Sequence, residues 1–316
     1  MATVGHMAVR PRIAVVPSGE QFTLAAGEHC ATVVEVGGGI RSYAVGGHDV
    51  LDPYPREAIC DGAHGAPLVP WPNRLGGGRY DFDGESFQLA LSEPERGNAI
   101  HGLLRWRAWR AIERSPERVV MGIRLHPMPG YPFALDVRIA YELAATGLLV
   151  RTHAINIGTR ACPIGAGQHP YLSAGGETLD DCRLQVTAAT RITTDEPCEL
   201  PTGRSPVAHT AYDFRAAREL GNLELDVAYT ELERDSAGLA WARLTTPDAG
   251  VRELWVDDGY RYIQIYTGDQ LAPERRRRGL AAEPMSCPAN ALATGEDLVT
   301  LEPGEAFGAS WGVRLR

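Results

Sequence analysis

The sequence predicts an all-β fold, built as one large antiparallel β-domain that spans residues 1–316. Apolar and polar residues alternate in several segments, which is the period of a strand with one solvated face. No long amphipathic helical pattern is present, which argues against the alternating strands and helices of a parallel sheet. The 35 glycines and 22 prolines are scattered along the chain, as the turns of a sandwich or barrel of many short strands require.

The earliest element with a clear signal is a hairpin over residues 80–91. Apolar residues alternate on both sides of Asp83-Gly84, and this dipeptide is typical of a two-residue turn because both residues tolerate positive φ. Two further strands are predicted over 119–125 and 135–143. The turn signal at Pro127–Gly130 indicates that these two strands pair as neighbours.

Two later segments have different patterns. The best helical window, Phe214–Leu220, covers only about two turns. Further along, Tyr260, Tyr262, Gln264 and Tyr266 are predicted to share one face of a strand. Tyrosine offers a flat apolar surface and a hydroxyl, and glutamine can both donate and accept hydrogen bonds. This face suits a sugar, and the alternative is an ordinary half-exposed sheet in which aromatics are common.

Charge and cysteine content narrow the class of partner. A net charge of -9 opposes a phosphate backbone or an anionic membrane, so a small-molecule ligand is expected and not nucleic acid or lipid. No segment has the apolar length of a signal peptide or a membrane span, which by default predicts a cytoplasmic protein. The six cysteines form no Cys-x-x-Cys pair, so we expect reduced thiols and no zinc site. The basic run Arg275–Arg278 is interpreted as a solvated loop, with phosphate binding as the minority hypothesis.

Two histidines and one glutamate stand among glycines, prolines and small residues, outside any apolar periodic run. A proline follows both His169 and Glu283 and restricts the backbone of each to extended geometry. A glycine follows His101 and permits close approach of a ligand or a strand. Upstream, Asn73-Arg74 lies between prolines and glycines, so the arginine is rigidly presented as a donor for hydroxyl groups.

Five contexts, in their order along the chain, resemble the aldose 1-epimerase or galactose mutarotase family. They are Pro70-Trp71-Pro72-Asn73-Arg74, Asn98-Ala99-Ile100-His101-Gly102, Gly167-Gln168-His169-Pro170-Tyr171, Leu225-Asp226-Val227-Ala228-Tyr229 and Ala281-Ala282-Glu283-Pro284-Met285. Gln264 also matches a sugar-contacting glutamine of that family. The resemblance implies a large antiparallel twisted β-sandwich with few short helices, the galactose mutarotase-like supersandwich, with the site in a cleft over one sheet.

The resemblance also implies a reaction, the interconversion of α and β anomers of a free aldose such as galactose or glucose. Glu283 is expected to act as the base on the C1 hydroxyl and His169 as the acid on the ring oxygen, each with an ordinary pKa. His101 would donate to the ring oxygen or a nearby hydroxyl. The expected sugar-binding residues are Asn73, Arg74, Asp226 and Gln264. The scheme uses no metal and no organic cofactor, and the protein is expected to be a monomer or a homodimer.

Three other functions remain open from the sequence. A hexose-6-phosphate mutarotase would keep the acid and the base and could bind phosphate through Arg275–Arg278. A sugar-binding protein without catalysis would not depend on Glu283 or His169. A glycoside hydrolase could use Asp226 and Glu283 as its two carboxylates. Leu172-Ser173 and Pro284-Met285 depart from the pattern of better-known galactose mutarotases, so substrate identity is less constrained than reaction type.

Overall fold

The computed structural model describes residues 15–176, 178–248 and 250–316. Within these ranges the strands form a 12-stranded sheet, a nine-stranded sheet and three two-stranded sheets, and all the strand pairs are antiparallel. Helix is limited to a 3₁₀ turn at Leu179–Asp181 and to α1 at Ala291–Thr294. The predicted all-β class with few short helices is confirmed. No helix of the described ranges is both long and apolar enough to cross a membrane.

The strands are named in chain order. They are β1 (Gln21–Ala26), β2 (His29–Val34), β3 (Ile40–Val45), β4 (His48–Leu51), β5 (Pro67–Leu68), β6 (Arg74–Gly76), β7 (Arg79–Phe82), β8 (Glu85–Gln88), β9 (Asn98–Ile100), β10 (Arg110–Arg114), β11 (Arg118–Leu125), β12 (Leu135–Ala144), β13 (Gly147–Asn156) and β14 (Cys162–Ile164). The second half contains β15 (Gly167–Gln168), β16 (Tyr171–Ser173), β17 (Arg183–Val186), β18 (Ala188–Thr194), β19 (Pro201–Pro206), β20 (Arg218–Glu219), β21 (Asp226–Leu232), β22 (Ala240–Thr245), β23 (Val251–Val256), β24 (Tyr262–Tyr266), β25 (Gly279–Met285), β26 (Val299–Leu301) and β27 (Ala306–Leu315).

The two large sheets pack face to face. The larger has the order β1-β2-β3-β4-β16-β25-β24-β21-β18-β19, with β15 between β25 and β5, and the smaller has the order β10-β11-β12-β13-β27-β23-β22-β17-β20. One contiguous apolar core contains residues of both sheets, among them Val33 and Ile263 from the larger and Ile139 from the smaller. The indole N–H of Trp311 on β27 also donates to Oε1 of Gln168 on β15, at 3.2 Å. Burial of these apolar faces holds the sandwich together.

The strongest local predictions are confirmed. Strands β7 and β8 form the expected hairpin, and both Asp83 and Gly84 have positive φ, of 51° and 76°. Strand β11 pairs with β12 over its whole length, from Arg118 with Glu142 to Leu125 with Leu135. In β12 the alternate apolar residues face the core, as their period requires.

Two local predictions are wrong. Residues Phe214–Leu220 form a bend and the short strand β20, because Arg215 binds Asp213 and the chain then pairs with β17. Tyr260 does not share the face of Gln264, since β24 begins only at Tyr262. Tyr260 lies in the core between the sheets, and its hydroxyl bonds Thr152 Oγ1 at 3.1 Å.

Candidate active site

A cavity of about 340 Å³ opens on the outer face of the larger sheet. On β24, Ile263 and Ile265 belong to the core, so the intervening Gln264 and the next residue Tyr266 point to the opposite face. Tyr266 lines the cavity. The other lining residues are Gly62, Ala63, Asn73, Arg74, Ser92, Glu93, Glu95, Ile100, His101, Arg105, His169, Tyr171, Asp226, Gln270, Leu271 and Glu283. Six of the seven predicted site residues therefore meet at one cavity, and the seventh, Gln264, does not line it.

Strand register places His169 opposite Glu283. Gly167 of β15 pairs with Met285 of β25, and Tyr171 of β16 pairs with Ala281, so the residues midway between these pairs lie across from each other. Directly opposed residues of an antiparallel pair project their side chains to the same face. The His169 Nε2 atom accordingly lies 3.2 Å from Glu283 Oε1. On the other side of β25, Glu283 pairs with Gln264.

Burial shifts this pair toward its neutral forms. His169 is 4% exposed and Glu283 is 2% exposed. Burial raises the pKa of Glu283 well above 4.5, and the negative charge of Asp226 adds to the shift. Burial lowers the pKa of His169 well below 6.5, with a further contribution from His64. The expectation of ordinary pKa values is therefore wrong, because the sheet removes both groups from water.

The second histidine of the cavity is held as a neutral donor. The backbone N–H of Asn73 donates to His101 Nδ1 at 3.3 Å, so in the neutral ring the proton is on Nε2. Burial lowers the pKa of His101, as does the neighbouring His169. The two imidazole rings meet edge to face, with centroids 5.3 Å apart. His101 has a left-handed φ of 64°. The next residue is Gly102, where a Cβ would clash with the Val69 carbonyl oxygen, so glycine is required there.

Arg74 is not the free donor that its sequence context predicts. Its guanidinium donates two hydrogen bonds to Glu93, from Nε to Oε2 at 3.0 Å and from Nη2 to Oε1 at 3.1 Å. Its Nη1 lies 2.7 Å from Glu199 Oε2. Asp226 Oδ2 is 3.5 Å from the same Nη1. Gln264 in turn donates to Asp226 Oδ1. Three of the four predicted sugar-binding residues, Arg74, Asp226 and Gln264, thus form one network, in which carboxylates already bind most of the guanidinium.

Sequence analysis missed Glu93 and Glu199. Glu93 stands before a proline in a loop, and Glu199 stands in the connection between β18 and β19. Glutamates in such loops are ordinary surface residues, so no local signal separates these two from the others. Only their approach to Arg74 reveals them.

A second buried cluster lies behind the cavity wall. Tyr171 stacks between two imidazoles, with ring centroids 4.9 Å from His169 and 3.7 Å from His64. The Nη2 group of Arg275 donates to His64 Nε2 at 2.8 Å and to Asp52 Oδ2 at 2.9 Å. His64, which has no distinctive sequence context, is thus linked to the site only by tertiary packing.

The interpretation of Arg275–Arg278 as a solvated loop is wrong for two of its members. Arg275 is only 8% exposed and binds Asp52. Arg277 is half-buried and pairs with Asp180 and Asp269. Because these carboxylates already neutralise them, the run does not form one basic patch, and none of its arginines lines the cavity.

The raised pKa of Glu283 predicts a pH-dependent stability difference. Between pH 4.5 and the raised value the unfolded chain releases this proton while the folded chain retains it, so stability falls as the pH rises through that interval. Glutamine does not titrate. We therefore expect Glu283→Gln to be more stable than wild type at about pH 8, with the difference shrinking as the pH approaches 4.5. Urea unfolding of both proteins at a series of pH values measures this difference in the free energy of unfolding.

A matched control is Glu253→Gln, in the smaller sheet. The pKa of Glu253 is lowered, since Arg243 and Arg314 outweigh the effect of burial. This variant should be less stable than wild type at about pH 8. A pH-independent difference between wild type and Glu283→Gln would contradict the raised pKa.

Comparison with known proteins extends these observations. The sequence profile of a family described as "Aldose 1-epimerase" matches residues 20–313. The chain is 35% identical over 289 residues to "Uncharacterized protein YihR" of Escherichia coli, and this match covers 91% of this chain and 91% of that protein. It is 28% identical over 160 residues to "Aldose 1-epimerase" of Escherichia coli, and this match covers 49% of this chain and 45% of that protein.

Solved structures show the same fold. A "GalM/aldose Epimerase Homologue" from C. elegans superposes with a TM-score of 0.83 at 19% identity, covering 94% of this chain and 98% of that one. "Galactose 1-epimerase" from Lactobacillus acidophilus superposes with a TM-score of 0.76 at 22% identity, covering 93% of each chain. At these identities the likeness concerns the fold alone. The predicted galactose mutarotase-like sandwich is confirmed.

Proposed function

This chain belongs to the aldose 1-epimerase family, and on that premise we propose that it is an isomerase that interconverts the α and β anomers of an aldose. One observation carries the proposal: a buried histidine and a buried glutamate, 3.2 Å apart, face a cavity that several hydrogen-bonding side chains line. Burial raises the pKa of Glu283 and lowers that of His169, which favours the state in which the two groups share one acidic proton. A pair with one proton can accept at one end and donate at the other.

The proposed reaction needs two proton transfers with the sugar in each direction. The shared proton first moves from Glu283 to His169 across their 3.2 Å contact. The Glu283 carboxylate then takes the proton of the C1 hydroxyl, the freed electron pair forms the C1 carbonyl, and the bond between C1 and the ring oxygen breaks. His169 gives its proton to the ring oxygen, which becomes a hydroxyl. After C1 rotates, the same hydroxyl attacks the other face of the carbonyl, and Glu283 and His169 exchange roles. The pair returns to its initial protonation state.

The remaining residues of the cavity orient the sugar in this scheme. His101 donates from Nε2 to the ring oxygen or a neighbouring hydroxyl, since its Nδ1 is already engaged. Asn73 and Asp226 line the cavity. The amide of Asn73 can donate hydrogen bonds to ring hydroxyls and accept them, and the carboxylate of Asp226 accepts them. Gln264 donates a hydrogen bond to Asp226, and ion pairs with Glu93 and Glu199 fix the position of Arg74. Fixed polar groups of this kind keep C1 between acid and base.

Polarimetry tests the proposal. Freshly dissolved α-D-glucose and α-D-galactose should reach their equilibrium rotation faster with the protein, in proportion to protein concentration. Heat-denatured protein gives the spontaneous rate. If neither sugar equilibrates faster with the protein than with the heat-denatured control, the proposed activity on free hexoses is wrong.

The hexose-6-phosphate hypothesis loses the residues on which it relied. Arg275 and Arg277 are bound to carboxylates, and the run lies outside the cavity lining. A phosphate at the reacting sugar would have to be held by another cation.

A further inference from the structure

The imidazole of His169 has a polar contact at only one of its two ring nitrogens. Its Nε2 atom lies 3.2 Å from Glu283 Oε1. Its Nδ1 atom is buried and, within the described ranges, has no hydrogen-bond partner. A histidine that transfers protons is usually oriented by a second group, bonded to its other nitrogen. Without such a group, the orientation of this ring depends on the side chains packed against it.

Three aromatic contacts restrain the ring. The ring of Tyr171 lies nearly parallel to that of His169, with centroids 4.9 Å apart and planes inclined by 16°. On Tyr171 also stacks the ring of His64, at 3.7 Å and 5°. His101 packs against His169 edge to face, at 5.3 Å and 82°. A turn of the His169 imidazole about its Cβ–Cγ bond would therefore press its edge against the Tyr171 ring.

The outermost ring of this stack, His64, is anchored at both of its nitrogens. Its Nδ1 atom donates to the Asp61 carbonyl oxygen at 3.1 Å, and its Nε2 atom accepts from Arg275 at 2.8 Å. Asp52 Oδ2 lies 3.1 Å from the same Nε2 and binds the same guanidinium. His64 is buried and does not line the cavity, so it reaches a sugar there only through other residues.

Backbone hydrogen bonds fix the stack relative to the proposed base. The N–H of Gly65 donates to the His169 carbonyl oxygen at 2.8 Å, and the N–H of His169 donates to the Ala66 carbonyl oxygen at 3.1 Å. Tyr171 pairs with Ala281 on β25, the strand of the base. The segment that follows His64 is thus bonded directly to the backbone of the acid, and the middle ring of the stack is carried by the neighbour of β25.

We infer that Tyr171 and His64 are positioning residues, whose stacked rings hold the His169 imidazole against Glu283. The inference rests on the proposed function, because it concerns the acid of that reaction. Neither positioning residue exchanges a proton with the sugar. The ring faces replace the missing hydrogen bond at His169 Nδ1, so the aromatic surface of His64 is what the reaction requires, and its nitrogens serve to anchor that surface.

Two variants of His64 separate stacking from hydrogen bonding. His64→Gln keeps an acceptor for Arg275 but has no ring, whereas His64→Phe keeps a ring on Tyr171 but accepts no hydrogen bond. We expect kcat for anomer exchange of D-glucose or D-galactose, measured by NMR, to fall about tenfold in His64→Gln, since small misplacements of a reacting group are costly. In His64→Phe it should stay within about threefold of wild type. KM should be nearly unchanged in both, because His64 does not line the cavity.

Stability is expected to follow the opposite order. His64→Phe leaves the Arg275 donor without its acceptor, so it should have a lower free energy of unfolding than His64→Gln. A purely structural role of His64 would make kcat, referred to folded protein, follow stability. His153→Leu is the matched control, since His153 is exposed on β13 and does not line the cavity, and it should keep the wild-type kcat. Equal kcat in the two His64 variants, or a lower kcat in His64→Phe, would overturn the inference while mutarotation stands.

A second measurement needs no turnover and also decides if His64→Phe does not fold. In protein with ¹⁵N-labelled histidines, a neutral ring fixed in one tautomer gives two well-separated ring ¹⁵N signals. Those of His169 are identified by their loss in His169→Gln. We expect the two signals to move together in His64→Gln, because a ring that turns exchanges between its tautomers. If no sugar is turned over, this change still supports the stacking role although the proposed function fails, and unchanged signals overturn both.

Discussion

Replacing Glu283 by glutamine is expected to lower kcat for mutarotation by about 10²- to 10⁴-fold, the usual contribution of a general base. Glutamine keeps the size of the side chain and can still contact His169, but it cannot take the proton of the C1 hydroxyl. The sheet around it should be unchanged, because Glu283 lies in the middle of β25 between two paired neighbours. Anomer exchange measured by NMR at saturating sugar gives kcat directly.

Two comparisons separate chemistry from structure in this experiment. Glu253→Gln removes an equally buried carboxylate from the other sheet and should leave kcat close to wild type, although it weakens the fold. The folded fraction of Glu283→Gln, followed by circular dichroism, should equal that of wild type. A kcat within a factor of about three of wild type for Glu283→Gln would rule out this residue as the base.

Replacing Arg275 by leucine is expected to lower the free energy of unfolding by about 3–5 kcal/mol, the cost of breaking a buried ion pair from one side. Asp52, which is 6% exposed, would keep its charge without the guanidinium that now binds it. His64 would lose the donor to its Nε2 atom, and the carbonyl of Pro53 would lose the donor at 2.7 Å. Denaturant unfolding measures the change.

The neighbouring Arg276→Leu is the control for this substitution. Arg276 is exposed and forms no ion pair within the described ranges, so its replacement should change stability by no more than about 0.5 kcal/mol. Similar losses in both variants would mean that the Asp52–His64–Arg275 cluster contributes no more than any surface arginine.

Some residues of the site could be found from sequence because their local contexts are unusual. His169 and Glu283 each precede a proline, and His101 precedes a glycine that the close approach of Val69 requires. Glu93 and His64 have no such context. Glutamates and histidines in loops are common on any surface, so their roles at the site depend on which distant segments meet there.

Even where the residues were identified, their chemical state was not. Sequence analysis assigned ordinary pKa values to Glu283 and His169, and it presented Arg74 as a free donor. A pKa depends on how much water reaches the group and on which charges stand near it, and both depend on the completed fold. Arg74 meets Asp226, which is 152 residues away, only when β6 and β21 come together.

The sequence by itself determined the local architecture of this protein. Alternation in β11 and β12, the Asp83-Gly84 turn and the five motif contexts indicated the all-β class and the family, because these signals are contained in short stretches of chain. Tertiary structure alone decided the register that sets His169 opposite Glu283, the burial that shifts both pKa values, and the placement of His64. Those properties come from pairing between segments far apart along the chain, which no local period records.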